Sequence, residues 1–383
     1  MTAVDEKPRT EKKSRRSYNL LTPRFWHGMT VKPWFSLLAR NKFDLSPTRL
    51  HLPLAISFFT ALNSAGRVVQ ESLYRRKADR VELAEPPIFI IGHWRSGTTL
   101  LHELLVRDPR HTFPTTYQCF APNHFLVTDW FVPRVFGFVL PTERPMDNMA
   151  AGWQRPQEDE FALCNLGVPS PYLEMAFPNR PPAFPEYLDL AGLTPEQLES
   201  WKTAFRGFLQ RLSLRDPRRI VLKSPPHTAR VRVLADMFPE ARFVHIVRHP
   251  YSLFPSTMKL WRSLHDVQSL QTPREEHLEE YVFRSFERMY EAFERDRESL
   301  APNQLFEVRY EDLVAEPIAH LRSIYEQLML GDSEEALPHM REYLAKVAGY
   351  KTNRHQVSDA LRAKIDERWG SYLRQYGYDT DDG

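Results

Sequence analysis

Residues 86–101, PPIFIIGHWRSGTTLL, constrain the fold of this chain more than any other stretch. The apolar run from Ile88 to Ile91, bounded by Pro87 and Gly92, has the pattern of a buried parallel strand. Helically spaced leucines follow the polar turn GHWRSGTT, which gives the order strand, tight loop, helix. A loop in this position presents backbone N–H groups at a helix N-terminus, where the helix dipole favours an anion. The stretch therefore predicts an α/β fold with an anion-binding loop at one edge of the sheet.

The loop has the spacing of the phosphate-binding P-loop, G-x-x-x-x-G-K-[ST], with one difference. Thr98 stands where nucleotide-hydrolysing loops carry a lysine that reaches the β- and γ-phosphates. The missing lysine argues against an ATPase or a kinase and favours a shorter anionic group such as a phosphosulfate. Gly92 and Gly97 allow the backbone to approach a ligand closely, and Arg95 and Thr99 supply a charge and a hydroxyl. The alternative is a Gly–Thr turn that binds no ligand.

A second strand–helix–strand unit follows later in the chain. The apolar runs 220–222 and 243–247 predict buried strands, and the segment between them has helical spacing. Ligands of parallel sheets bind beyond the C-terminal ends of the strands. Lys223 and His227 follow the first of these strands and Arg248 follows the second. All three residues are therefore expected at the same edge of the sheet as the loop.

Ser256 follows Arg248 by eight residues and lies in the next predicted helix. An arginine at a strand end and a hydroxyl on the adjoining helix can converge on one phosphate. The alternatives are a surface ion pair for Arg248 and a hydrogen bond from Ser256 to its own helix backbone.

Together these motifs resemble those of the sulfotransferases that use 3′-phosphoadenosine 5′-phosphosulfate, PAPS. Residues 95–99 match the family's phosphosulfate loop, [KR]-S-G-T-[TS], and Arg248 with Ser256 resembles the pair that holds the 3′-phosphate. The resemblance covers residues 86–375. It implies a three-layer α/β fold with a central parallel sheet, similar to the P-loop NTPases, and sulfuryl transfer from PAPS to an acceptor hydroxyl without a metal. The residues that it assigns to PAPS binding are Arg95, Ser96, Gly97, Thr98, Thr99, Arg248 and Ser256.

A hydroxyl acceptor needs a general base, and His227 is the first candidate because imidazole titrates near neutral pH. Lys223 is expected to assist the leaving phosphate. In the cytosolic branch of the family the base histidine lies two residues after the lysine, whereas the gap here is four residues with two prolines between. Glu158, within the acidic segment 157–161 (QEDEF), and His124 are alternative bases. The carboxylates of that segment could instead serve only as charges at a helix N-terminus.

The region before the loop divides into a disordered basic tail, 1–19, and a helical accessory region, 20–83; a sulfotransferase domain, 84–380, follows. The accessory region mixes aromatic and basic residues and contains an apolar helix that ends in the basic cluster 75–77. This helix either packs on the catalytic domain or lies at a membrane interface. Its apolar run 52–62 is too short to span a bilayer.

The acceptor is expected to be large and apolar, such as a lipid or a polyketide. Residues 108–183 are rich in aromatic residues and proline, which favours short helices that line an acceptor pocket. The family resemblance further suggests that Lys351, Asn353 and Arg354 cover the nucleotide.

Composition limits the partners and the cellular compartment that can be expected for this chain. The 383 residues carry a formal net charge of +2, which gives no argument for a nucleic-acid partner. Two cysteines, Cys119 and Cys164, indicate a reducing compartment, so the protein is expected in the cytoplasm, with membrane-peripheral contact as an option. Two rival functions stay open: a P-loop NTP-dependent kinase, and a membrane-associated nucleotide-binding protein without catalytic activity.

Overall fold

A computed structural model describes residues 22–135, 152–347 and 357–379. Within them five parallel strands form one sheet in the order β2–β3–β1–β4–β5. The strands are β1 (Ile88–Ile91), β2 (His111–Thr112), β3 (Arg219–Lys223), β4 (Arg242–Val247) and β5 (Leu305–Arg309). The predicted strands are present, and β1 lies at the centre of the sheet. The basic tail 1–19 and the loop with Lys351, Asn353 and Arg354 lie outside the described residues.

Helices cover both faces of the sheet. The α-helices of the described residues are α1 (Val31–Arg40), α2 (His51–Ala78), α3 (Thr98–Leu105), α4 (Thr116–Phe120), α5 (Phe125–Thr128), α6 (Val132–Val135), α7 (Glu160–Leu166), α8 (Pro195–Arg215), α9 (Val231–Met237), α10 (Pro250–Gln268), α11 (Leu278–Asp296), α12 (Tyr310–Ala315), α13 (Pro317–Gln327), α14 (Ser333–Val347) and α15 (Asp359–Gln375). Short 3-10 helices span Phe25–Gly28, Pro47–Arg49, Pro171–Ala176, Pro185–Tyr187, Pro225–Arg230 and Arg297–Ser299.

Successive side chains of β1 point to opposite faces of the sheet and join two separate hydrophobic cores. Phe89 and Ile91 join the larger core, which the helices α8, α10 and α11 complete. Ile88 and Ile90 point to the opposite face and join a smaller core with α3, α13 and α14. All four side chains of β1 are fully buried, as expected for a strand covered on both faces. The predicted three-layer fold with a central parallel sheet is therefore confirmed.

The accessory region packs onto the larger core instead of standing apart. Trp26 and Trp34 are fully buried in that core. The indole N–H of Trp26 donates a hydrogen bond to the backbone oxygen of Gln268 at 2.8 Å, which ties the N-terminal segment to the end of α10. Helix α2 packs against α1, α5 and α8.

Helix α2 has 28 residues and carries the basic cluster 75–77 in its last turn, as predicted. Among the described residues it is the one helix long and apolar enough to cross a membrane by length and composition. Only 28% of its most apolar 18-residue window is buried. A mostly buried core helix would give a much higher share, so the exposed side of α2 calls for a separate explanation.

Candidate active site

The loop between β1 and α3 depends on two glycines. Gly92 and Gly97 have φ values of +143° and +110°, in the region that glycine favours. A Cβ atom on Gly97 would lie 2.4 Å from the ring of Tyr310, and one on Gly92 would lie 2.4 Å from the backbone oxygen of Ile246. The loop therefore curls tightly against its neighbours, and a side chain at either position would displace it.

Hydrogen bonds from neighbouring elements fix the loop. The backbone N–H of Gly92 donates to Thr228 Oγ1 at 2.7 Å, and Thr257 Oγ1 donates to the backbone oxygen of Trp94 at 3.2 Å. The hydroxyl of Ser96 is fully buried and has no hydrogen-bond partner among the described residues. Thr98 begins α3, so helix N–H groups lie beside this hydroxyl. An unsatisfied buried hydroxyl at a helix N-terminus fits an anionic ligand group.

The second motif reaches the loop directly. Arg248 Nη1 donates a hydrogen bond to the backbone oxygen of Arg95 at 3.0 Å, and Arg95 Nε donates to Ser256 Oγ at 3.0 Å. The Arg248 guanidinium lies 4.4 Å from the ring centre of Tyr310. The backbone N–H of Arg248 donates a hydrogen bond to the hydroxyl of Tyr372. The structure thus brings the loop, Arg248 and Ser256 together at one edge of the sheet.

Three consecutive carboxylates at the start of α7, residues 158–160, face the end of β3 and the 3-10 helix that follows it. Glu158 forms an ion pair with Lys223. Asp159 accepts a hydrogen bond from Ser224 and lies 2.7 Å from His227 Nε2. The third carboxylate, Glu160, is fully buried and pairs with the equally buried Arg230 and with the hydroxyl of Ser170. The acidic segment therefore does more than place charge at the N-terminus of α7, because each carboxylate has its own partner.

Glu158 is the carboxylate of this row that reaches solvent. Its side chain is 17% exposed, against 0% for Asp159 and Glu160. The hydroxyl of Tyr172 donates to Glu158 Oε2 at 2.5 Å and accepts a hydrogen bond from the Trp94 indole N–H at 3.0 Å. Burial and the neighbouring Glu158 raise the pKa of Tyr172 well above its ordinary value, so it stays a neutral donor. Glu158 is thus connected through one side chain to the loop.

His227 lies beneath this surface, with no exposure to solvent. Its Nε2 atom faces Asp159, and its ring packs between Phe89 and Phe205. Burial by itself raises the pKa of Asp159, but His227 and the Ser224 hydroxyl outweigh burial and hold that pKa below its ordinary value. This geometry gives His227 a buried hydrogen bond to Asp159 and no open path to an acceptor hydroxyl.

His124 is engaged at the junction of α2 and α5. Its Nε2 lies 3.0 Å from Asn63 Oδ1, and its Nδ1 lies 2.9 Å from Thr128 Oγ1. Burial lowers its pKa to about 4, although a backbone hydrogen bond partly opposes this shift. Both ring nitrogens therefore serve the packing of α2.

Sequence reasoning missed two residues of the site. Trp94 sits inside the loop motif, but the motif pattern leaves that position open. Tyr172 belongs to no sequence motif. It lies in the 3-10 helix Pro171–Ala176, and only the tertiary structure shows its contact with Glu158. Across the described residues, no group of three or more His, Cys, Asp or Glu side chains could hold a metal ion.

Comparison with known proteins decides the family. A family model described as the sulfotransferase family matches residues 86–334, which include the loop, Lys223, Arg248 and Ser256. The chain belongs to the sulfotransferase family. The membership confirms the predicted enzyme class, a sulfotransferase, and implies PAPS as the sulfuryl donor; it favours this class over the kinase alternative.

Two curated relatives of this sulfotransferase are 45% identical to it over 354 residues, covering 92% of this chain and 91% of each relative. They are the omega-hydroxy-beta-dihydromenaquinone-9 sulfotransferases Stf3 of Mycobacterium bovis and Mycobacterium tuberculosis. Among solved structures, sulfotransferase STF1 of Mycobacterium tuberculosis is similar with a TM-score of 0.62 at 21% identity, covering 88% of this chain and 90% of that one. STF9 of Mycobacterium avium also has a TM-score of 0.62, at 20% identity and 91% and 96% coverage. These two structures share the fold of this sulfotransferase.

Proposed function

We propose that this sulfotransferase moves a sulfuryl group from PAPS to a terminal hydroxyl of a large, lipid-like acceptor. The contact between Arg248 and the backbone oxygen of Arg95 carries the proposal, since it places two anion-binding motifs at one edge of the sheet. The acceptor class rests on the relatives that are 45% identical and named for a hydroxylated menaquinone. The aromatic composition of residues 108–183 supports the same class.

The loop would hold the phosphosulfate end of PAPS. Gly97, Thr98 and Thr99 offer backbone N–H groups at the start of α3, and the buried Ser96 hydroxyl has no partner in the part of the chain that the structure describes. The Arg95 side chain adds positive charge beside them. These donors suit the negative charge that develops on the leaving phosphate during transfer.

Arg248 and Ser256 would hold the 3′-phosphate at the other end of the nucleotide. Both groups already meet at Arg95, so a phosphate bound there would replace contacts within the protein by charge-assisted hydrogen bonds. ATP lacks a 3′-phosphate and would leave this half of the site without its ligand.

Glu158 is the general base that the geometry favours over His227. It is the exposed member of the acidic row, whereas His227 is buried against Asp159. In the proposed step the acceptor oxygen forms a bond to sulfur, its proton passes to the Glu158 carboxylate, and the bond from sulfur to the phosphate oxygen breaks. Lys223, paired with Glu158 in the structure, would then turn its ammonium group to the phosphate that leaves.

We further propose that the enzyme is cytoplasmic and contacts a membrane through residues 20–83. A lipid-like acceptor resides in a bilayer, and α2 exposes apolar side chains on its outer side. This contact would bring the enzyme to its acceptor.

Transfer assays with the full chain test the proposed function. With sulfur-35-labelled PAPS, a long-chain isoprenoid quinone with a terminal hydroxyl in detergent is expected to become labelled. The same quinone without the hydroxyl is the matched control and is expected to stay unlabelled. Efficient labelling of small phenols without labelling of the long-chain alcohol would overturn the acceptor class. Tight binding of ATP in place of 3′-phosphoadenosine 5′-phosphate, PAP, would overturn the assignment of the donor site.

A further inference from the structure

Helix α2 presents an apolar side to solvent along most of its length. We call this the α2 outer face; its exposed apolar residues are Leu54, Ala55, Phe58, Phe59, Ala61, Leu62, Ala65, Val68, Val69 and Leu73. Leu54, Phe58 and Val68 are 73%, 65% and 67% exposed. We propose that the α2 outer face docks on an anionic phospholipid bilayer, an inference that rests on the proposed lipid-like acceptor and the proposed membrane contact.

The polarity of α2 is the reverse of that of an ordinary surface helix. Three of its seven buried residues are polar, namely Thr60, Asn63 and Gln70. In a helix that covers a core, the apolar stripe faces inward and the polar side faces water. On α2 the widest apolar surface faces outward, so water is an unfavourable environment for this side.

Hydrogen bonds hold α2 along the surface of the domain. Asn63 Nδ2 donates to the backbone oxygens of His27 and Met29 at 2.6 and 2.9 Å. Further along the helix, Gln70 Oε1 accepts from the backbone N–H of Leu126 at 2.9 Å, and Glu71 pairs with Arg211 at 2.7 Å. A helix that crossed the bilayer would lose these partners. The structure therefore fits a helix that lies in the plane of the membrane surface with its outer face in the lipid.

Charge identifies the lipid class. Arg67 is the one charged residue among the exposed positions from 51 to 73 of α2, all of which the structure describes. Three exposed basic residues, Arg75, Arg76 and Lys77, follow directly after the apolar face, and Arg75 also pairs with Asp79. Basic residues beside an inserted apolar face attract anionic lipid headgroups.

An aromatic cleft lies beside this basic end. Tyr74, Lys77, Asp129, Trp130 and Arg215 contribute to its lining, and Arg215 pairs with Asp129 at 2.7 Å, so Lys77 supplies the unbalanced positive charge of these residues. Trp130 is 63% exposed, and tryptophan prefers the interface between headgroups and acyl chains. Tyr74 and Lys77 lie in the last turns of α2, so the cleft borders the basic end of the α2 outer face.

Vesicle flotation of the full chain tests the proposal independently of sulfuryl transfer. The enzyme is expected to float with phosphatidylglycerol vesicles and to bind phosphatidylcholine vesicles more weakly. The triple variant Leu54→Ser, Phe58→Ser, Leu62→Ser is expected to lower the partition coefficient at least about tenfold. Arg76→Gln with Lys77→Gln is expected to remove the preference for anionic vesicles.

Two exposed apolar residues at the β5 side of the sheet provide the matched control. Val314 and Met329 are 50% and 68% exposed, and Val314→Ser with Met329→Ser is expected to leave vesicle binding unchanged. PAP affinity, measured by calorimetry, is expected to stay the same in all these variants.

Three results would overturn the proposal. The first is a wild-type chain that does not bind either vesicle type. The second is equal loss of binding in the control variant. The third is light scattering that shows a dimer for the wild type and a monomer for the triple variant. This result would show that a second copy of the chain covers this face. None of these results would affect the proposed transfer reaction, because the assay in detergent measures that reaction separately.

Discussion

Arg248 Nη1 donates a hydrogen bond to the backbone oxygen of Arg95 at 3.0 Å, across 153 positions of the chain. The contact joins the end of β4 to the loop after β1, and Arg95 extends it to Ser256 on α10. These are the residues assigned to opposite ends of PAPS. These contacts hold the cationic groups in position, which lowers the cost of ordering them when a nucleotide binds.

Replacement of Arg248 tests the 3′-phosphate site. Arg248→Ala is expected to weaken PAP binding about 10- to 100-fold, because a charge-assisted hydrogen bond is worth about 1.5–3 kcal/mol. Isothermal calorimetry with PAP and with adenosine 5′-phosphate measures the effect, which should be confined to PAP. Arg262→Ala is the control, since Arg262 lies on α10, the helix that carries Ser256, and makes an exposed pair with Glu275. Equal loss of affinity for both nucleotides would contradict the assignment.

Substitution of Glu158 separates the two candidate bases. Glu158→Gln is expected to lower kcat at least about 100-fold and to leave PAP affinity nearly unchanged, because it removes the proton acceptor. His227→Gln is expected to reduce the free energy of unfolding by about 1–3 kcal/mol, since it removes the buried ring that hydrogen-bonds to the Asp159 carboxylate. Steady-state kinetics and urea unfolding provide the two readouts. A fully active Glu158→Gln enzyme would return the base role to His227 or another residue.

Tyr172 is expected to position Glu158 through its hydrogen bond. Tyr172→Phe keeps the ring in the core and removes the donor to Glu158 and the acceptor for Trp94. The variant is expected to lose about tenfold in kcat with little change in KM for PAPS, and the acidic limb of the pH–rate profile should move to higher pH. An unchanged pH–rate profile would show that Tyr172 serves packing alone.

Acid should destabilise the protein partly through His124. The pKa of His124 is lowered to about 4 in the folded chain, against about 6.5 when unfolded, so its contribution to stability is present above pH 6.5 and is lost as the pH falls toward 4. From pH 7 to pH 5 the free energy of unfolding should fall in both proteins. The fall should be smaller in His124→Gln than in the wild type, by about 1–2 kcal/mol. Urea unfolding at the two pH values measures this difference. Parallel losses in both proteins would contradict the assigned pKa.

The donor side of the site could be read from the sequence because its chemistry is local. The turn at Gly92 and Gly97 needs positive φ, and a strand before it and a helix after it set the direction of the N–H groups. The end of β4 then fixes Arg248 at the same edge, since parallel strands share the direction of their C-terminal ends. Short-range pattern and sheet topology were sufficient for these residues.

The acceptor side could not be read in the same way. His227 and Glu158 are both plausible bases by residue type, and burial alone distinguishes them: one side chain is fully enclosed, and the other is 17% exposed. Tyr172 joins Glu158 to Trp94 through contacts between segments that no motif connects. The side that α2 exposes also depended on which neighbours it packs against.

The sequence by itself determined the strand–loop–helix unit, the parallel sheet and the family, because hydrophobic period, glycine positions and motif spacing act over short distances along the chain. Tertiary structure alone decided which titratable groups are buried and which face of α2 is exposed. The physical reason is that burial, and with it the protonation and reach of a side chain, depends on packing between segments far apart in sequence.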